Sequence, residues 1–417
     1  MPPLSPRPVD RPFDPRARRP RPPVSLVERA PGRAARVAAS GPRPARRPAR
    51  RRVRRDVRFR ARRIAALVLV VLSAEVLVSL VGTLTEPSNT PTSVQFVEWL
   101  RGNGAAGLVA SIESAYYSLN APATGGPGLK RLPSVGSRAA AARRARAYRP
   151  PPIAPVIRPA LPGEGVWHGT GLLVHGAPPI LVTTFRPDPS YPRVVAGVAW
   201  IDRSRTMLQL YPGRYEPANS GNVPAEVPVD RRDRLVATFN SGFRLEDDHG
   251  GFFAFGRAYA PLRAGQATVV GYRDGRTDVQ SWSGGPTPGP QVLFARQNLP
   301  LIVRAGRLNP SLSDGALWGL TVGNAVRVWR SGIGVDARGD LIYAAADLQT
   351  AQSLARILQR AGAVRAMELD INYDWTTFNF YGGWGAADPQ KLVPGMSRPA
   401  TRYLSPDDRD FFAVYAR

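Results

Sequence analysis

From Val364 to Phe380 the chain reads V-R-A-M-E-L-D-I-N-Y-D-W-T-T-F-N-F, an apolar strand pattern that delivers Glu368, Asp370, Asn372 and Asp374 as it runs out. Carboxylates and amides at such an exit suit acid–base chemistry or the holding of a polar ligand, because ligands of α/β proteins gather beyond the carboxyl ends of strands. Each acid also has a plainer use, capping a turn or pairing with an arginine.

Three other segments carry comparable groups. In Ala237–Arg244, A-T-F-N-S-G-F-R, a strand pattern ends at Asn240, and Gly242 frees the backbone to turn where a Cβ would clash. An acidic loop with Asp247, Asp248 and His249 follows, and a β-turn capped by Asn and Asp would read the same way. Arg296, Gln297 and Asn298 form a polar knot between apolar stretches. Buried donors are costly without partners, so a phosphate, a sugar or an internal carboxylate must meet them. In Trp329–Gly334, W-R-S-G-I-G, Arg330 and Ser331 stand at a strand end that Gly332 and Gly334 keep open. Arg330 either offers its planar fork to phosphate oxygens or serves as counter-ion to Glu368 and Asp370.

With the aromatic residues Trp375, Phe378 and Trp384, this inventory suits a sugar bearing a phosphate. Glycosidic cleavage needs an acid or base on one side and a base or nucleophile on the other. A phosphodiester leaving group departs with negative charge, which arginines stabilise while a carboxylate activates water. The expected assignment is Asp370 with Glu368 or Asp247 as the carboxylate pair, Arg330 and Arg296 as phosphate clamp, and Asn240 and Asn372 as orienting amides. Gly242, Asn298, Ser331 and Asp374 complete the substrate-binding set. There are no cysteines and only three histidines, so thiolate sites are excluded and a multi-histidine metal centre is disfavoured. No metal or cofactor is called for, although an oxygen-ligand ion such as calcium stays open at a carboxylate cluster.

The elements that must position these groups are legible in outline. Leu348–Gly362 has apolar residues at helical spacing and a glycine stop, and a short turn then leads into the carboxylate-bearing strand. From Gly165 onward, β-branched and aromatic runs predict strands at 171–174, 180–186, 194–201, 206–211, 235–240, 251–255, 267–272, 277–282, 301–303, 325–329, 334–336 and 341–345. Tyr272–Arg276 and Asp336–Asp340 read as hairpin turns. The fold class is therefore α+β, a mostly antiparallel mixed sheet domain with few helices over 164–417.

Ahead of that domain the chain changes character. Residues 1–63 hold 21 arginines against Asp10, Asp14, Glu28 and Asp56, so they carry +17 of the net +26. The basicity belongs to a proline-rich tail expected to be disordered and cytoplasmic, which argues against a nucleic-acid-binding face. Ile64–Leu84 is a run of 21 residues with one charge, Glu75, long enough at ~1.5 Å per residue to cross a bilayer core. Arginines immediately before it place the tail inside and everything after residue 85 outside. Short amphipathic helices are expected over 85–120 and a Pro/Gly/Ala/Arg-rich linker over 121–163. The oligomeric state is not legible.

In V-A-T-F-N-S-G-F at 236–243, H-G-G-F-F at 249–253, R-Q-N-L at 296–299, W-R-S-G-I-G at 329–334 and R-A-G-A-V-R-A-M-E-L-D-I-N at 360–372, the chain resembles the bacterial phosphodiester glycosidase family. The animal relative of that family is the uncovering enzyme that removes N-acetylglucosamine from a phosphodiester. The resemblance spans roughly Gly163 to Arg417 and is nearest to an actinobacterial, membrane-anchored branch. It implies an exported, membrane-tethered hydrolase that cleaves a sugar from a glycosyl phosphodiester or a related envelope glycan. Asp370, Asn240, Gly242, Phe252 and Phe253 carry over, and Arg330 falls at the family's strand-end polar position. Where better-studied members follow the aspartate with a glycine-rich turn, this chain has Ile371 and Asn372. A non-catalytic glycan-binding module tethered to the membrane is the alternative expectation.

Overall fold

The structure, a computed structural model, describes residues 50–105, 107–109, 111–112, 119, 123–136, 148–218, 220–319 and 327–417. The tail before residue 50, most of the second expected amphipathic helix and residues 137–147 of the expected linker lie outside the described residues. The chain divides into two units, residues 1–69 and 70–417. Helix α1 (Arg50–Thr85) begins within the expected tail, and its part from Arg58 onward is long and apolar enough to cross a membrane. Its apolar side chains, Leu67 and Leu77 among them, are exposed.

Within the larger unit a second helix, α2 (Thr92–Leu100), is followed among the described residues by strands in three wholly antiparallel sheets. The first sheet runs β1 (His168–Gly169), β2 (Ile180–Phe185), β3 (Ala196–Ile201), β14 (Leu341–Gln349), β13 (Val328–Val335), β15 (Arg365–Ile371), β11 (Val303–Arg304) and β12 (Arg307–Leu308). The second runs β7 (Arg257–Ala260), β6 (Phe252–Ala254), β10 (Val292–Gln297), β8 (Ala267–Tyr272) and β9 (Thr277–Ser281). The third runs β17 (Ala387–Lys391), β16 (Phe378–Gly383), β5 (Leu235–Asn240), β18 (Phe411–Ala416) and β4 (Thr206–Tyr211). Two helices interrupt the strands, the single-turn α3 (Leu245–Asp248) and α4 (Ala351–Arg360).

Strand periodicity sorts the core into two layers. On β14, Tyr343 and Ala345 join a cluster with Phe239, Phe294, Phe378 and Phe412 from the two smaller sheets. Their neighbours Ile342, Ala344 and Ala346 turn to the opposite side, against Leu354, Ile357 and Leu358 of α4. The large sheet is thus covered by a helix on one face and by both smaller sheets on the other. Helix α4 starts later than the 348 expected, because Leu348 still belongs to β14 and Thr350 forms a capping box with Ser353. Both expected hairpin turns are present, with Gly275 and Gly339 at positive φ.

Residues 334–336 do not begin a separate strand, since β13 runs unbroken from Val328 to Val335. Gly332 and Gly334 lie inside it and do not hold an end open. A Cβ at Gly334 would stand 2.5 Å from the Arg365 carbonyl oxygen, and one at Gly332 would stand 2.9 Å from Leu358 Cδ1. These glycines let β15 and α4 close on the strand that carries Arg330. Between β13 and β15 the register shifts, with Gly332 opposite Glu368 but Arg330 opposite Ile371, so β15 has one extra residue. Such a bulge re-aims side chains next to it. Glu368 and Asp370, which plain alternation would put on one face, consequently meet different partners.

Candidate functional site

The exits of β5, β10 and β15 and the approach to β18 converge where the three sheets meet. Asn240 is held from every side there. Its Oδ1 accepts from the Tyr343 hydroxyl at 2.9 Å and the Thr377 N–H at 3.0 Å, while Nδ2 donates to Ser331 Oγ at 2.9 Å and the Ser241 carbonyl at 3.0 Å. Ser331 Oγ in turn donates to the Asp370 carbonyl at 2.8 Å. Asn298 Nδ2 donates to the Glu368 carbonyl at 2.8 Å. These amides and the hydroxyl tie strand ends together.

Both arginines expected as a phosphate clamp are enclosed and matched by internal acceptors. Arg330 donates to Glu368 Oε1 at 2.5 Å, to the Gln349 carbonyl at 2.9 Å and to the Trp318 carbonyl at 3.0 Å. Burial pushes the Glu368 carboxyl above its ordinary value against the pull of Arg330. Arg296, 0% exposed, donates to Asp410 Oδ2 at 2.8 Å, and Asp248 Oδ2 lies 3.7 Å from its Nη1. Gly242 allows that guanidinium to lie against the backbone, since a Cβ there would be 3.2 Å from Arg296 Cζ. Of the readings open for these arginines, the structure shows the internal carboxylate.

Asp370 has a partner that the motif search did not single out. Its Oδ2 accepts from Arg409 Nη2 at 2.8 Å, and its Oδ1 from the Ile371 N–H at 2.9 Å. Burial pushes the Asp370 carboxyl up to about 7 even though the Arg409 guanidinium pulls the other way. Arg409 belongs to Asp407-Asp408-Arg409-Asp410, four consecutive charged residues that are all buried immediately before β18. Asp407 takes Arg402 through both carboxylate oxygens, at 2.7 and 3.0 Å. Trp375 is the common surface for these cations, with the Arg409, Arg402 and Arg398 guanidinium carbons 5.0, 5.4 and 5.9 Å from its ring centroid. A run of polar and charged residues abutting an apolar strand is the signal that marked Arg296–Asn298, and it would have flagged Arg409.

Trp375 and Arg409 form part of the wall of a cavity of about 220 Å³. Arg214, Glu216 and Arg244 line it from the domain, and Glu98 and Trp99 of α2 from across it. The segment bearing α2 is held down by polar contacts. Glu98 pairs with Arg244 at 2.9 Å, Ser88 Oγ donates to Asp408 at 3.0 Å, and Arg398 donates to Asn89 Oδ1 at 2.7 Å. Burial raises the Glu216 carboxyl, with Arg409 acting in the opposite sense. Three guanidinium groups share this small cavity with three carboxylates, Glu98, Glu216 and Asp408, a mixed lining that suits a polar ligand bound next to a proton acceptor.

The remaining expected residues lie around this centre. Asp247 is exposed on α3, whereas its neighbour Asp248 is the acid that turns inward to Arg296. Asn372, at φ +93°, accepts the Asp374 N–H at 3.1 Å, and its own N–H donates to the Trp329 carbonyl at 2.9 Å. Asp374 is partly buried, which raises its carboxyl. Phe252 packs in the main core with the Arg296 guanidinium 5.6 Å above its ring. Among the described residues no group of three or more metal-ligating side chains is assembled.

Two of these acids make a pH prediction. Burial raises Asp248 to about 6 and Asp370 to about 7, both above the ordinary value of 3.8. Between those limits the folded protein holds protons that the unfolded chain has released, so its stability falls as pH rises from about 4 to about 7. The denaturation midpoint of the full chain is expected to decline over that window, and less steeply in Asp248→Asn. An identical slope in that variant would refute the assignment.

No curated protein matches the chain. Among solved structures, the catalytic domain of zebrafish N-acetylglucosamine-1-phosphodiester alpha-N-acetylglucosaminidase is 18% identical with a TM-score of 0.40, over 58% of this chain and 85% of that one. A hypothetical protein from Synechocystis is 14% identical with a TM-score of 0.36, over 58% of this chain and 63% of its own. A putative exported protein from Burkholderia pseudomallei is 12% identical with a TM-score of 0.31, over 55% of this chain and 75% of its own. The family model for phosphodiester glycosidases matches residues 233–370, the stretch that holds Asn240, Arg296, Arg330, Glu368 and Asp370. Residues 233–370 are thus similar to the phosphodiester glycosidase family.

Proposed function

We propose that the chain hydrolyses a glycosyl phosphodiester, releasing the sugar from its phosphate, in the cavity beside Asp370 and Arg409. The observation that carries this reading is the 2.8 Å ion pair of Asp370 with Arg409, a residue of the cavity wall. It sets a cation where a departing phosphate needs one, beside a carboxylate whose affinity for protons suits neutral pH. Asp370 takes a proton from the attacking water, while Arg409, Arg214 and Arg244 bind the phosphate. Arg296 and Arg330, enclosed among their own acceptors, hold the scaffold in place. Glu216 stands on the cavity wall itself, with Glu98 and Asp408. Helix α1 anchors the domain in a membrane, with the arginine-rich tail on the cytoplasmic side and the domain outside, facing envelope glycans.

The test is release of free sugar by the full chain, held in lipid nanodiscs, from a panel of sugar-1-phosphodiesters that includes N-acetylglucosamine. Turnover is expected and should rise with pH through about 7 as Asp370 ionises. A panel without turnover, alongside retained binding to envelope polymer, would replace this reading with that of a tethered glycan-binding module.

A further inference from the structure

A second cavity, of about 560 Å³, opens where the 129–133 segment, the approach to β3, the end of β14 and the 393–395 turn come together. It has no part in the chemistry proposed above. Its volume lies within the roughly 300–1,000 Å³ typical of small-molecule sites. The walls are mainly aliphatic, with Leu129, Leu132, Val195 and Leu348 among them. Two exposed arginines, Arg131 and Arg193, belong to the lining. Asp347 is its one acid, and burial raises that carboxyl, which weakens the opposition it offers to an incoming anion.

One wall is held in an uncommon conformation. Leu348 sits at φ +56°, a left-handed geometry that costs a non-glycine residue of order 1–3 kcal/mol, and the Asp347 side chain accepts its N–H at 2.7 Å. Strain of that kind persists where the surroundings impose it, and here it contributes a leucine to the lining.

We infer that this cleft binds an anionic amphiphile, a single alkyl chain along the aliphatic walls with its phosphate or sulfate head against Arg131 and Arg193. Complementarity of both kinds favours that occupant. An uncharged glycan would leave the leucines and valines without apolar partners, and a compact inorganic anion would reach the arginines but leave the volume unfilled.

The test is photolabelling of the full chain, held in nanodiscs of zwitterionic lipid, with a diazirine-bearing dodecyl phosphate, followed by mapping of the labelled peptides. Label is expected in 129–133 and 193–195, displaced by dodecyl phosphate but not by dodecyl maltoside or inorganic phosphate. The surface variant Arg131→Ala/Arg193→Ala should weaken displacement about tenfold, the scale of losing one charge-assisted hydrogen bond. Val195→Trp should abolish labelling by filling the cleft. Label confined to α1, equal displacement by dodecyl maltoside, or unchanged displacement in the arginine variant would each overturn the inference.

Discussion

Replacing Asp370 by Asn is expected to lower kcat on a glycosyl phosphodiester by ~100-fold or more while leaving the protein folded. The substitution keeps the shape of a side chain whose Oδ1 accepts the Ile371 N–H, removes its capacity to take a proton, and puts an amide NH2 where an oxygen accepts from Arg409. Arg409 does not become an isolated buried charge, because Glu216 and Asp410 also act on it favourably. Stability at neutral pH should fall by ~1–3 kcal/mol, since Arg409 loses its nearest acceptor. Kinetics on the parent and the variant, with a thermal melt of each, separate the two effects. A variant that keeps half or more of the parental kcat would sink the assignment of Asp370 as the proton acceptor.

The second large effect is on folding. Arg330→Met should cost ~3–5 kcal/mol, because it leaves Glu368 buried without its cation. Adding Glu368→Leu should restore most of that loss, since a pair replaced together by apolar groups leaves no uncompensated charge. Denaturant titration of the parent, both single variants and the double variant supplies the cycle. The folded double variant should also turn over substrate at close to the parental rate, because the Arg330 donors are taken up by Glu368 and by backbone carbonyls. A stable double variant without turnover would put Arg330 back into the chemistry.

Those contrasting expectations show where sequence reasoning reached its limit. Strands rich in Val, Ile and Phe and the helix with its glycine stop were legible because burial imposes periods that composition reveals. The polar knots were legible as places needing partners. What could not be read was the partner itself, since a guanidinium looks the same in sequence whether it faces phosphate or Glu368. One extra residue in β15 sends Glu368 to Arg330 and Asp370 to Arg409, and register of that kind is set by pairing across the sheet. Gly332 and Gly334 were read as keeping a strand end open, yet they permit close packing inside a strand, a role that depends on neighbours about thirty residues onward in the chain. Helix α4 was foreseen three residues too early because apolar spacing continues through Leu348, whereas the cap at Thr350 decides its start.

The position of β18 has a consequence for the time order of folding. It lies inside its sheet, between β4 and β5, and joins Tyr415 to Tyr211 across 204 positions of chain. Contacts so distant in sequence form slowly, because a long loop must close before they contribute. Until β18 docks, Arg296 has no Asp410 and Asp370 has no Arg409, so neither strand exit is electrically balanced. During synthesis the sheet must stay unfinished, open to chaperones and proteases, until Asp407 and the residues after it have been made. A product truncated ahead of Asp407 would carry every other strand of the sheet yet leave both strand exits without their counter-charges.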